Sequence, residues 1–143
     1  MNGTTSPEAP SGDVYVWPLE HRARAVAAAR RMARTVLTHW SLDEQAVYDA
    51  TVIVSELVTN AVEHALPPVT LHLQRQQAGG AGVVHIEVTD GGPAPSAGAW
   101  VTSCAPEEHG RGSAIVDMLG FTSGARDRGS ASAHWAELEL QTA

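Results

Sequence analysis

The apolar side chains of the chain recur at two different spacings, which divide it into a helical part and a strand-rich part. From Glu20 to about Trp40 they repeat at the three- and four-residue spacing of an amphipathic helix, and arginines occupy another arc. This pattern predicts a first helix with one buried face and one basic face. The apolar positions are Ala25, Ala29, Met32, Ala33, Val36 and Leu37, and the arginines are Arg24, Arg30, Arg31 and Arg34.

The next segment predicts a second helix. Ser41 and Glu44 have the spacing of a capping box, so we expect Ser41 to cap this helix. Pro67 and Pro68 should end it, because the residue before a proline is pushed out of the helical region. Its apolar positions are Ala46, Val47, Ala50, Ile53, Val54, Leu57, Val58 and Ala61.

Outside the two predicted helices the composition favours strands. The predicted strands are residues 14–16, closed by Pro18, and residues 69–75, 83–89 and 133–140, with residues 78–82 as a hairpin connection. Residues 90–112 are predicted to form a long loop and residues 113–119 a short helix. The expected fold is α+β: a two-layer sandwich in which helices cover one face of a mixed, mostly antiparallel sheet.

Composition narrows the class of protein. The 143 residues include 43% hydrophobic side chains and have a formal net charge of -7, which predicts one compact domain over residues 13–143 after a disordered tail of residues 1–12. The single cysteine, Cys104, and the lack of a signal-like start favour a cytoplasmic protein, and no stretch is long enough to cross a membrane. The acidic charge and the complete lack of lysine argue against direct nucleic-acid binding.

One candidate for chemistry lies in the second predicted helix. Glu56 and Asn60 are four residues apart and therefore share a face of the helix. A carboxylate and an amide oxygen placed in this way offer oxygen ligands, or a base, beside a divalent metal such as Mg²⁺. The alternative is an ordinary polar stripe on an amphipathic helix.

A second candidate is Asp90, followed by Gly91 and Gly92 at the end of a predicted strand. Glycines let a ligand approach the backbone, and the carboxylate could accept a hydrogen bond from the amino group of a base. The alternative is an ordinary Asp-Gly turn.

A third candidate opens the short predicted helix at Gly110, Arg111 and Gly112. Exposed backbone amides at a helix N-terminus form an anion site that suits phosphates, and the arginine would add charge. The alternative is a flexible linker.

Taken in order, the three segments resemble the ATP-binding domain shared by type II gyrases and sensor histidine kinases, the Bergerat fold. The segment from Glu56 to Asn60 is similar to its N box, the one from Asp90 to Gly92 to its first glycine box, and the one from Gly110 to Gly112 to its second. The small size and the run GRGSAIVDML most resemble the single-domain actinobacterial anti-sigma-factor serine/threonine kinases. The resemblance covers roughly residues 14–140.

This resemblance implies an ATP site with Mg²⁺. Glu56 would orient or deprotonate the attacking hydroxyl, and Asn60 would ligate the Mg²⁺ that bridges the phosphates. Asp90 would accept the adenine amino group, and Gly92 would leave room for the base. Gly110, Arg111 and Gly112 would bind the phosphates.

The resemblance also implies partners. The hydroxyl would belong to a STAS-domain antagonist, a sigma factor would be sequestered, and a homodimer is compatible with the family. The arginine arc of the first helix is a candidate surface for an acidic partner, with a solvated helix face as the alternative.

The glycine boxes depart from the family pattern at Ala94, Ser113 and Ala114. These departures leave open an alternative function, that of a non-catalytic ATP-binding regulator acting by protein association. A detached sensor histidine kinase domain is less favoured, because the chain has no dimerisation helix pair with a phosphoacceptor histidine.

Overall fold

The computed structural model describes residues 13–78, 81–94 and 122–140. In chain order, its elements are β1 (Val14–Leu19), α1 (Arg24–His39), α2 (Glu44–His64), β2 (Val69–Ala78), β3 (Ala81–Asp90), β4 (Thr122–Arg128) and β5 (Ala131–Glu139). The predicted tail over residues 1–12, the predicted helix over residues 113–119 and most of the predicted long loop lie outside the described residues.

The strands form one five-stranded sheet in the order β1-β2-β3-β5-β4. Each neighbouring pair is antiparallel, so the described sheet is more uniform than the mixed sheet expected from the sequence. The helix α2 packs against β2, β3 and β5, and α1 packs against α2. The predicted α+β class, with helices on one face of a sheet, is confirmed.

The core lies between α2 and the inner face of the sheet. Alternate residues of each strand point to one face, and the central strands place fully buried side chains there, such as Leu73 on β2 and Ile86 on β3. The two are cross-strand partners, and Ile86 in turn faces Ala136 on β5. Burying a side chain of the size of Leu or Ile contributes about 1.5–3 kcal/mol, so this layer accounts for much of the stability of the domain.

The two helices use the faces that their periodicity predicts. On α1 the buried residues are Ala25, Ala29, Ala33, Val36 and Leu37, and on α2 they are Ala50, Thr51, Ile53, Val54, Leu57, Val58 and Ala61. Trp40, at the end of α1, is 5% exposed and its ring lies 6.0 Å from that of Tyr15 on β1. No helix in the described part of the chain is long and apolar enough to span a membrane.

The predicted cap of α2 was wrong. The helix begins at Glu44 and is capped by Asp43, whose Oδ1 accepts a hydrogen bond from the backbone N–H of Ala46 at 2.8 Å. Ser41 has a φ of 64° and its N–H donates to the carbonyl of Thr38, so it belongs to the turn that leaves α1. Asp and Ser are equally good N-cap residues, because the side chain of either can accept from the N3 amide. Moving the cap from Ser41 to Asp43 makes Glu44 the first residue of the helix.

The two edge strands differ from the sequence prediction. Pro18 does not close β1, which continues to Leu19 with Pro18 paired to Thr70. A proline is tolerated here because β1 is an edge strand and needs hydrogen bonds on one side only. The other edge strand, β4, was not predicted, since most of its side chains are exposed and show no apolar alternation.

The outer face of the sheet contains a polar network instead of a second layer of helices among the described residues. On β3, Nδ1 of His85 lies 2.8 Å from a carboxylate oxygen of Glu137, and Nε2 lies 2.9 Å from a carboxylate oxygen of Glu87. Arg126 on β4 donates to the same Glu87 oxygen at 3.2 Å, and the ring of Trp135 stacks on His85 at 5.8 Å. This face is therefore held together by charge and aromatic contact.

Candidate functional site

The helix α2 positions the first pair of predicted site residues. Glu56 and Asn60 are both partly buried and lie one helical turn apart on the same face, as predicted. Neighbouring Ser55 accepts a hydrogen bond from the guanidinium of Arg30 on α1 at 3.3 Å, which fixes this part of α2 against α1. Glu56 lines the groove between the two helices.

Asp90 ends β3 with a carboxylate that is almost fully withdrawn from solvent. Its side chain is 2% exposed, and Oδ1 accepts a hydrogen bond from the backbone N–H of Gly92 at 2.8 Å. On the other side, Oδ2 lies 3.9 Å from Nδ1 of His134 on β5. A buried carboxylate with an oxygen left for a further donor suits recognition of an amino group.

The two glycines after Asp90 are required by the turn itself. Gly92 has a φ of 95°, which L side chains rarely adopt, and a Cβ there would clash with the carbonyl of Ser130. A Cβ at Gly91 would clash with the carbonyl of Pro67. The conformation of the turn therefore requires a glycine at position 92, whether or not Gly92 also leaves room for a base, as predicted.

This turn is bonded directly to the end of α2. The N–H of Leu66 donates to the carbonyl of Gly92 at 2.8 Å, and the N–H of Gly91 donates back to Leu66 at 2.7 Å. The N–H of Ala94 donates to the carbonyl of His64, the last residue of α2, at 3.2 Å. The segment containing Asp90 and the helix containing Asn60 therefore meet at one junction.

His21 strengthens the same junction from the start of the helical layer. Its Nε2 donates to the carbonyl of Ala65, just beyond α2, at 2.6 Å. This contact spans 44 positions of the chain. It therefore ties the segment before α1 to the end of α2.

The sequence reasoning missed the residues that β5 places beside Asp90. Ser132 is its direct partner across the β3–β5 ladder, and its hydroxyl donates to Asp127 on β4 at 3.3 Å. His134 is the next residue of β5 on that face. No local signal could have identified either, because both are near Asp90 only through the register of distant strands.

The third predicted segment, with Gly110, Arg111 and Gly112, lies outside the described residues. For the described ranges, no group of three or more His, Cys, Asp or Glu side chains is arranged to hold a metal ion. Asn60 as a ligand of Mg²⁺ therefore stays a prediction that depends on oxygens supplied by a nucleotide.

Comparison with known proteins agrees with this architecture. The family model described as histidine kinase-like ATPase domain matches residues 19–122. A search of solved structures matches the crystal structure of the RsbU and RsbW domains of Rv1364c from Mycobacterium tuberculosis, with a TM-score of 0.66 and 20% sequence identity. The match covers 89% of this chain and 32% of that one, so this chain spans about a third of it. No curated protein matches the sequence significantly.

Proposed function

Since the chain belongs to the histidine kinase-like ATPase domain family, we propose that it is a cytoplasmic, ATP-binding anti-sigma factor with protein serine/threonine kinase activity. Its substrate is a STAS-domain antagonist, and the partner that it sequesters is a sigma factor, as in the single-domain actinobacterial kinases that it resembles. The observation that supports the proposal best is the hydrogen-bonded junction between the Asp90 turn and the end of α2.

Asp90 at this junction and Asn60 on α2 suit a purine nucleotide bound with Mg²⁺. Asp90 is buried, Oδ1 is occupied by the N–H of Gly92, and Oδ2 can accept from the amino group of adenine. Asn60 offers an amide oxygen of the hard type that Mg²⁺ prefers. Bound ATP with Mg²⁺ supplies the phosphoryl group and neutralises its charge.

Glu56 has the role of the base in this proposal. It lies one turn before Asn60 on α2 and faces the groove between α1 and α2, through which a protein hydroxyl can approach. Phosphoryl transfer depends mostly on positioning and charge neutralisation. The reaction therefore does not call for a large catalytic domain.

The test is transfer of labelled phosphate from ATP to candidate STAS-domain proteins. Glu56→Ala should abolish transfer while leaving ATP affinity within about twofold of wild type, because this carboxylate acts on the hydroxyl and not on the nucleotide. Glu63→Ala removes an exposed carboxylate of the same helix and serves as the control, with full transfer expected.

The outcomes separate the two functions left open by the sequence. Nucleotide binding without transfer to any candidate, in wild type as in Glu56→Ala, would favour the non-catalytic regulator. Unchanged transfer in Glu56→Ala would reject Glu56 as the base. An acid-labile, base-stable phosphoprotein would indicate phosphohistidine and contradict the serine/threonine assignment.

A further inference from the structure

A groove between α1 and α2 leads to Glu56. Its volume is about 310 Å³, and we call it the arginine groove. Arg30 and Arg34 form one wall, and α2 forms the other. The lining residues are Arg30, Arg34, Tyr48, Thr51, Val52, Ser55 and Glu56.

The arginines of this groove have no ion-pair partner within 4 Å among the described residues. Arg24, Arg75 and Arg126 each have a carboxylate within 4 Å. Among the described residues no carboxylate comes as close to Arg30 or Arg34, and the side-chain hydrogen bond that these two arginines make there is from Arg30 to the hydroxyl of Ser55. Two like charges four residues apart destabilise a helix, so a binding partner would relieve a cost that the fold leaves in place.

The α2 wall provides apolar and aromatic contact beside these charges. Tyr48 is 62% exposed, and Val52 is the next residue on the same helical stripe. Tyrosine and arginine are enriched among the residues that dominate protein–protein binding energy. The stripe continues through Glu56, so a segment lying along it reaches the proposed base.

We propose that the arginine groove binds an acidic segment of a partner protein and directs a serine or threonine hydroxyl of that segment towards Glu56. This inference rests on the proposed kinase function for its last step only. The occupant is an acidic polypeptide because Arg30 and Arg34 have no ion-pair partner within 4 Å in the described part of the chain, and because the exposed Tyr48 and the neighbouring Val52 favour side-chain packing. A nucleic acid fits less well, since the chain has a net charge of -7 and its charged wall is short.

Charge reversal at one wall of the groove tests the proposal. Binding of a short labelled peptide, rich in glutamate and with one serine, is measured by fluorescence anisotropy in the absence of nucleotide. Arg34→Glu should weaken binding at least about tenfold and reduce its salt dependence, because the arginine would face the acidic segment directly. Arg22→Glu makes the same change of charge outside the groove and should weaken binding less than about twofold.

Three results would overturn the proposal. In the first, the acidic peptide does not bind wild type. In the second, Arg22→Glu and Arg34→Glu weaken peptide binding equally. In the third, a single-stranded oligonucleotide binds more tightly than the peptide. Circular dichroism checks the fold, and Arg34→Gln replaces Arg34→Glu if the latter does not fold.

A parallel ATP titration separates this inference from the proposed function. If wild type does not bind ATP but the peptide still depends on Arg34, the kinase proposal fails and the docking surface stands. If ATP binds and the peptide does not, the docking surface fails alone. A peptide that binds through Arg34 but inhibits no transfer to a STAS-domain protein would contradict delivery of the hydroxyl to Glu56.

Discussion

Asp90 shows how one residue can serve both the backbone and a ligand. Its Oδ1 accepts from the N–H of Gly92 and holds the turn, while Oδ2 points towards His134 at 3.9 Å. An unpaired buried carboxylate is costly, and the one amide and the more distant imidazole satisfy it only in part. A donor arriving from a nucleotide would complete its hydrogen bonding.

Replacing the charge of Asp90 without changing its shape tests this role. In Asp90→Asn the amide oxygen can still accept from Gly92, but the group facing the base becomes an NH₂ donor opposite another donor. A hydrogen bond to a charged group contributes about 1.5–3 kcal/mol, so ATP affinity should fall by roughly 10- to 100-fold. Isothermal titration calorimetry with ATP and GTP measures the loss and any change of base preference.

Asp49→Asn is the matched control for this experiment. Asp49 lies on α2 and accepts a hydrogen bond from Gln45 one turn away, on the exposed surface of the helix. We expect its ATP affinity to equal that of wild type. If Asp90→Asn binds ATP as tightly as this control, Asp90 does not contact the base.

The sequence could indicate part of the site because that part is local. Glu56 and Asn60 are related by one helical turn, and Asp90 precedes its glycines directly, so short-range spacing is sufficient to predict them. Ser132 and His134 reach Asp90 through the β3–β5 register. Register depends on all the side chains of a sheet, and no short window of sequence contains it.

At the scale of the elements, the N-cap of α2 can be tested by measuring stability, because the sequence predicted Ser41 there and the structure has Asp43. Asp43 accepts from the N–H of Ala46, whereas Ser41 belongs to the preceding turn. Asp43→Ala should lower the free energy of unfolding by about 1 kcal/mol, the usual loss on removing an N-cap. Ser41→Ala should change it by less than about 0.5 kcal/mol.

Urea unfolding of both variants, followed by circular dichroism, gives these free energies. The reverse order of effects would mean that the capping box predicted from the sequence is the one that forms. Equal m-values are needed for the comparison, since a change of m would indicate an altered unfolded state.

Helices and strands that bury an apolar face were predicted correctly from the sequence, and those without such a face were not. The helices α1 and α2 and the strands β2 and β3 have periodic apolar faces, and their positions follow from the sequence. β4 has no such face, because most of its described side chains are exposed. Pro18 was misread for a related reason, since a rule for central strands does not apply at an edge.

At the scale of the whole molecule, the two faces of the sheet are stabilised by different forces. The inner face packs mainly apolar side chains, whereas the outer face depends on the polar network around Glu87. Although burial raises the pKa of Glu87, the hydrogen bond and charge of His85, with the charges of Arg126 and His72, bring it below the ordinary 4.5. A carboxyl pKa lowered by folding stabilises the protein above the unfolded value, and this stability is lost as pH falls through the folded value.

Removing the charge of Glu87 should therefore matter most at neutral pH. We expect Glu87→Gln to lower the thermal midpoint at neutral pH and to converge with wild type as pH falls below 4.5, because wild type then loses the same charge. Thermal unfolding by calorimetry across this range measures both effects. Glu20→Gln is the control: its pKa is also lowered, by the hydrogen bond and charge of Arg24, but that pair is exposed and should contribute little. A constant difference between Glu87→Gln and wild type at every pH would show that Glu87 acts through packing and not through its charge.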